Sequence, residues 1–157
     1  AIDYGAEFHW APNRGPGMLR VTERLAKEYV EENPVERRLL PLGLNHPTAI
    51  GSIIKVARGM NLNPKEVWSV GSGGVLTRGL QLAFPAAQVN VVQVGHKLKP
   101  EEYGRAKVFV SPYKKLSIPV KDFDSPPFPS ASTYDAKAWQ FIRVHGTKGA
   151  LFWNVAA

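Results

Sequence analysis

No cysteine occurs in the 157 residues. That excludes disulfide scaffolds, thiolate nucleophiles, iron–sulfur clusters and thiolate zinc sites. No apolar run approaches the roughly 20 residues a bilayer-spanning helix needs. No signal-peptide pattern stands at the start, so a cytoplasmic protein without membrane attachment is expected. The four histidines, His9, His46, His96 and His145, are scattered, with no pair at metal-ligand spacing. No metal is therefore expected. Acidic residues are the minority, 13 against 20 Lys plus Arg, leaving a net charge of +7. A surplus of that size favours anionic ligands or partners without choosing between a phosphorylated small molecule and a nucleic acid. Internal repeats and low-complexity segments are absent. So is an initial Met: the sequence opens at Ala1, which suggests a piece of a longer or split protein.

What is present suits one domain of ordinary size. Hydrophobic residues make up 44% and charged residues 21%, enough to bury a core and too little charge for wholesale disorder. A short buried strand is predicted over residues 5–10, closed by Pro12-Asn13-Arg14-Gly15-Pro16-Gly17. Met18, Val21, Leu25 and Tyr29 recur at helical spacing, and that helix should stop near Asn33-Pro34. Residues 38–42 read as extended. Ile50, Ile53, Ile54, Ala57 and Met60 mark a second helix, ended by Asn61-Leu62-Asn63-Pro64. Strands follow at 67–70 and 88–94, flanking a helix from Val75 to Phe84. A short helix at 100–103, extended pieces at 107–110 and 116–120, and an ordered proline-rich loop at 121–131 come next. A helix over 134–144 and a strand over 149–155 close the chain. Strands alternating with helices, several of them lacking polar alternation, imply an α/β fold: an open, mostly parallel sheet with helices on both faces, three layers in all. Residues 1–157 are expected to form a single domain. Trp10, Trp68, Trp139 and Trp153 are expected in its core, and Arg37-Arg38 and Lys114-Lys115 on its surface.

The stretch that carries chemistry is Val67-Trp-Ser-Val-Gly-Ser-Gly-Gly-Val-Leu-Thr-Arg-Gly-Leu80. A buried strand ends, a glycine run follows and a helix begins. Glycines there let main-chain N–H groups face an anion, and the positive end of the helix dipole points the same way. The dipole alone supplies only about 0.3–1 kcal/mol at an exposed site. Several N–H bonds to a phosphate must supply the rest, with the Ser72 and Thr77 hydroxyls as further donors. A Walker loop is excluded because Gly-Lys-Ser/Thr is missing. The dinucleotide fingerprint is excluded because Leu76 stands where its third glycine belongs. A tight turn that binds nothing remains the alternative.

Taken with Leu40-Pro-Leu-Gly-Leu-Asn-His-Pro47 and the helix to Met60, this stretch resembles the later half of fold-type II pyridoxal-phosphate enzymes, the tryptophan synthase beta-like superfamily. The nearest branch is that of aminocyclopropane-carboxylate deaminase and D-cysteine desulfhydrase. Tyr4-Gly-Ala-Glu7 is similar to the Gly-Ala-Glu strand after that family's small domain. Tyr134-Asp-Ala-Lys137 is similar to its Tyr-Glu/Thr-Gly-Lys segment, and Leu151-Phe-Trp153 to its last core strand. The resemblance implies a lyase or deaminase of amino-acid metabolism, with pyridoxal 5'-phosphate as cofactor and a small amino acid as substrate. Gly71, Ser72, Gly73 and Gly74 would hold the cofactor phosphate. Val75 departs from the family's Thr, so one side-chain donor is lost. Asp135 falls where relatives place a partner for the pyridine nitrogen, and Tyr134 where substrate passes. As first-turn helix and packing residues, the two also have ordinary explanations.

The family joins its cofactor to a Schiff-base lysine in a segment before the small domain. None of Lys55, Lys97, Lys107 and Lys137 stands in such a motif. The resemblance therefore implies a missing N-terminal segment or a second chain, and a homo-oligomer. A basic α/β module that binds a nucleotide or nucleic-acid phosphate at the same loop, and a non-catalytic relative, remain as competing expectations.

Overall fold

The computed structural model describes residue 7, residues 9–10, 18–113 and 115–155. Ala1–Pro41 and Leu42–Ala157 form two compact units. In the first, α1 spans Met18–Glu31. Its apolar stripe leaves Val21, Leu25 and Tyr29 half-buried. Arg24–Glu28 at 2.6 Å and Lys27–Glu23 at 2.9 Å pair one turn apart on its polar side. The strand expected over residues 5–10 lies largely outside the described residues. Its described members, Glu7, His9 and Trp10, are irregular and exposed. Trp10 is 88% exposed, so the core position expected for it is not found.

The second unit holds α2 (Pro47–Gly59), β1 (Glu66–Gly71), α3 (Val75–Ala83), β2 (Gln88–Gln93), α4 (Pro100–Tyr103), β3 (Lys107–Val110), α5 (Trp139–His145) and β4 (Leu151–Phe152). His46 caps α2 by accepting the Thr48 N–H on Nδ1, and Pro47 opens the helix where its missing N–H costs nothing. The four strands form one parallel sheet in the order β3-β2-β1-β4. Glu66 to Gly71 pair in register with Gln88 to Gln93. On one face, Val67, Val89 and Val91 pack with Ala57, Leu80 and Ala83 of α2 and α3. On the other, Trp68, Val70, Val92 and Val94 pack with Ala138, Phe141 and Ile142. Both faces are covered, which is why β1 and β2 carry so little polar alternation.

Three expectations are corrected. Residues 38–41 pair with no strand, and Leu42–Leu44 is a 3-10 turn with Gly43 at φ 64°. Residues 116–120 form a turn and irregular chain rather than a strand: the Ile118 N–H bonds back to Lys115 O, and the Val120 N–H to Ser132 O. The helix expected from Tyr134 to Val144 is a 3-10 turn, Asp135–Ala138, running into α5. The Lys137 N–H there reaches Tyr134 O, three residues back, the tighter 3-10 bond. The proline-rich loop is ordered. Asp124 accepts the Tyr113 hydroxyl at 2.7 Å, and Asn154 Nδ2 donates to Pro129 O at 2.8 Å. No helix among the described residues is long and apolar enough to cross a membrane.

Candidate functional site

From β1 the chain builds β2 and then β3 on one side, and later returns to lay β4 on the other. The strand order therefore reverses at β1. In an open parallel sheet the carboxyl end of such a strand opens into a crevice where ligands bind. Residues 71–74 stand at that end.

The glycines there answer to different demands. A side chain on Gly71 would meet Val91 Cγ2 at 2.7 Å, so this glycine lets the strand pack. Gly74 caps α3 at φ 75°, and a side chain on it would run into the backbone of Glu102 in α4. Gly73 alone is open, with nothing within 4 Å of where a Cβ would stand. The sequence assigns the room at all three glycines to an anion. The fold fills it with protein at Gly71 and Gly74 and leaves it at Gly73. Val75, half-buried, begins α3 directly beyond, so the first-turn amides of a nine-residue helix adjoin the opening.

Of the two hydroxyls expected as donors, Thr77 is fully buried, with Oγ1 3.5 Å from Ser69 Oγ. It serves the strand–helix packing beneath the loop. Ser72 is half-buried and points toward the opposite face of the sheet from α3. Its Oγ lies 3.1 Å from the hydroxyl of Tyr134, 62 residues later in the chain. Burial raises the Tyr134 pKa above its ordinary value, and the nearby Asp135 charge adds to that, so the phenol stays protonated at neutral pH.

Asp135 follows directly and is fully buried, in a 3-10 turn of which every residue is buried. Lys137, two residues on, is also fully buried, and its Nζ donates to Lys115 O at 2.8 Å. Burial lowers its pKa. Nothing in the sequence separates Lys137 from the surface lysines, because its burial depends on the loop after β3 folding over it. Glu102 was equally hidden: its helix was legible, its seat against Gly74 was not. Its carboxylate accepts the Lys99 N–H at 2.7 Å and lies 3.4 Å from His96 Nε2. Among the described residues no group of three or more His, Asp or Glu is placed to hold a metal ion.

The residues fit a phosphate in one place, the opening at Gly73 and the first amides of α3, with Ser72 at its edge. Asp135 lies close enough to Tyr134 for its charge to act on the phenol that contacts Ser72. No family model matches the chain, and neither a curated protein nor a solved structure matches it significantly.

Proposed function

We propose that this chain is the later, large-domain portion of a pyridoxal-phosphate-dependent lyase or deaminase acting on a small amino acid. The observation that carries the proposal is the 3.1 Å contact between Ser72 and Tyr134. It joins the glycine loop to the Tyr134-Asp135 segment at the carboxyl edge of a parallel sheet. Those are the two segments that the resemblance assigns to the phosphate and to the pyridine nitrogen.

In this proposal the amides of Gly73 and Val75 and the Ser72 hydroxyl bind the phosphate, aided by the α3 dipole. The buried Asp135 carboxylate holds a proton on the pyridine nitrogen. Tyr134 orients the substrate beside it. When bound, pyridoxal phosphate supplies an electron sink for the bond broken at the amino acid's α-carbon. No lysine of this chain is assigned to hold the cofactor covalently. The net charge of +7 is equally compatible with a second reading, a nucleotide or nucleic-acid phosphate at the same loop.

Gly73→Asp tests the site without disturbing the fold, because the side chain enters open space. Binding of pyridoxal 5'-phosphate to the full chain, followed by fluorescence, should weaken about tenfold or more from like-charge repulsion. Unchanged binding would refute the phosphate assignment. Tight, salt-dependent binding of an oligonucleotide, with none of pyridoxal phosphate, would favour the second reading.

A further inference from the structure

Ser72 contributes a side-chain hydroxyl at the edge of the open loop, and that hydroxyl is already engaged. Tyr134 contacts it at 3.1 Å. A phosphate settling at Gly73 and the start of α3 would draw on that same hydroxyl. Tyr134 is also held firmly from behind. Its ring packs against the core cluster of Trp68, Val70 and Val92, and its N–H donates to Ala131 O at 2.9 Å. Its carbonyl accepts the Lys137 N–H at 3.1 Å, and Lys137 Nζ is fixed on Lys115 O. A displacement of the phenol is thereby passed to Asp135 and Lys137.

We propose that Tyr134 is a latch on the glycine loop: its hydroxyl holds the Ser72 hydroxyl that phosphate oxygens take on binding, and loading the loop shifts Tyr134 and the buried turn behind it. This rests on the glycine-loop reading and adds a regulation to it. The device sets the affinity of the loop below what its amides alone would give. It also reports occupancy of the loop to the Asp135 carboxylate, so the two ends of the site respond together.

The test uses the full chain, inorganic phosphate and pyridoxal 5'-phosphate as probes, and calorimetry with amide NMR as readouts. Tyr134→Phe keeps the ring in the core and removes the competing hydroxyl. It should bind phosphate about three- to tenfold more tightly, the weight of one hydrogen bond. In the unmodified chain, phosphate should move the amide signals of Asp135 and Lys137 along with those of Ser72 and Gly73. In Tyr134→Phe it should move the loop signals alone. Ser72→Ala, which leaves Tyr134 in place, should likewise silence the Asp135 and Lys137 response. Equal or weaker phosphate binding by Tyr134→Phe overturns the latch and leaves the loop reading standing. Failure of both probes to bind either protein overturns the loop reading and the latch together.

Discussion

Glu66 accepts both the hydroxyl and the main-chain N–H of Thr147, at 2.5 and 3.2 Å, across 81 residues of chain. Its other oxygen accepts from Trp68 Nε1 and from Asn90 Nδ2. A buried carboxylate thus serves as a hub at the amino edge of the sheet, tying β1 to β2 and to the segment that leads into β4. No cation pairs with Glu66 among the described residues; hydrogen bonds alone compensate its burial.

Glu66→Ala is therefore expected to destabilise the chain by about 2–3 kcal/mol, because several donors lose their acceptor at once. Thr147→Val should cost about 1 kcal/mol or less, since the amide bond survives. Urea unfolding midpoints measure both. A Glu66→Ala midpoint equal to that of the unmodified chain would dismiss the hub.

The adjacent glycines of the loop should respond in opposite ways to alanine. Gly74→Ala must place a Cβ at φ 75° and against the Glu102 backbone, for a loss of about 2 kcal/mol or more. Gly73→Ala enters open space and should change stability by less than about 1 kcal/mol, with a gain if the unfolded chain is stiffened. Thermal unfolding of the pair, compared under one condition, decides the matter. Equal losses would mean that the loop is not shaped by α4.

Stability should carry a signature of Lys137. Burial lowers its pKa in the folded chain below the ordinary 10.5. The unfolded chain therefore binds the proton more readily, and below the folded pKa the native state bears the full cost. As pH rises from the folded pKa to about 10.5 that cost disappears, so stability from this group increases. Lys137→Met lacks the term. The stability of Lys137→Met relative to the unmodified chain should be greatest below the folded pKa of Lys137 and fall as pH rises toward 10.5. A gap that stays flat from pH 7 to 10 in urea titrations would show Lys137 to be solvated.

On the proposed function, no lysine of this chain is the covalent anchor of the cofactor. Treatment with pyridoxal 5'-phosphate and borohydride, read by mass spectrometry, should give scattered, substoichiometric labelling of exposed lysines. Lys137 should escape it, being fully buried. A stoichiometric adduct on one lysine would place the anchor within these residues.

The elements that the sequence determined by itself are those whose cause is local. The uncharged run of β2, the strand–glycine–helix order from Val67 to Phe84 and the Pro100 start of α4 rest on near-neighbour periodicity, breakers and caps, and all appear in the fold. The parallel sheet followed too, since uninterrupted apolar strands between helices need cover on both faces. The surroundings of the glycine loop were not legible. That Gly73 is open while Gly74 is walled by Glu102 depends on where α4 packs, about thirty residues on. That Tyr134 meets Ser72, and that Lys137 lies buried, depends on the chain crossing back over β1 after β3. Residues 116–120 alternate well enough for a strand, yet the Val120 N–H goes to Ser132 O instead of to a sheet edge. Such outcomes belong to tertiary structure: each is set by a contact between distant segments, and local composition carries no record of which distant segment arrives.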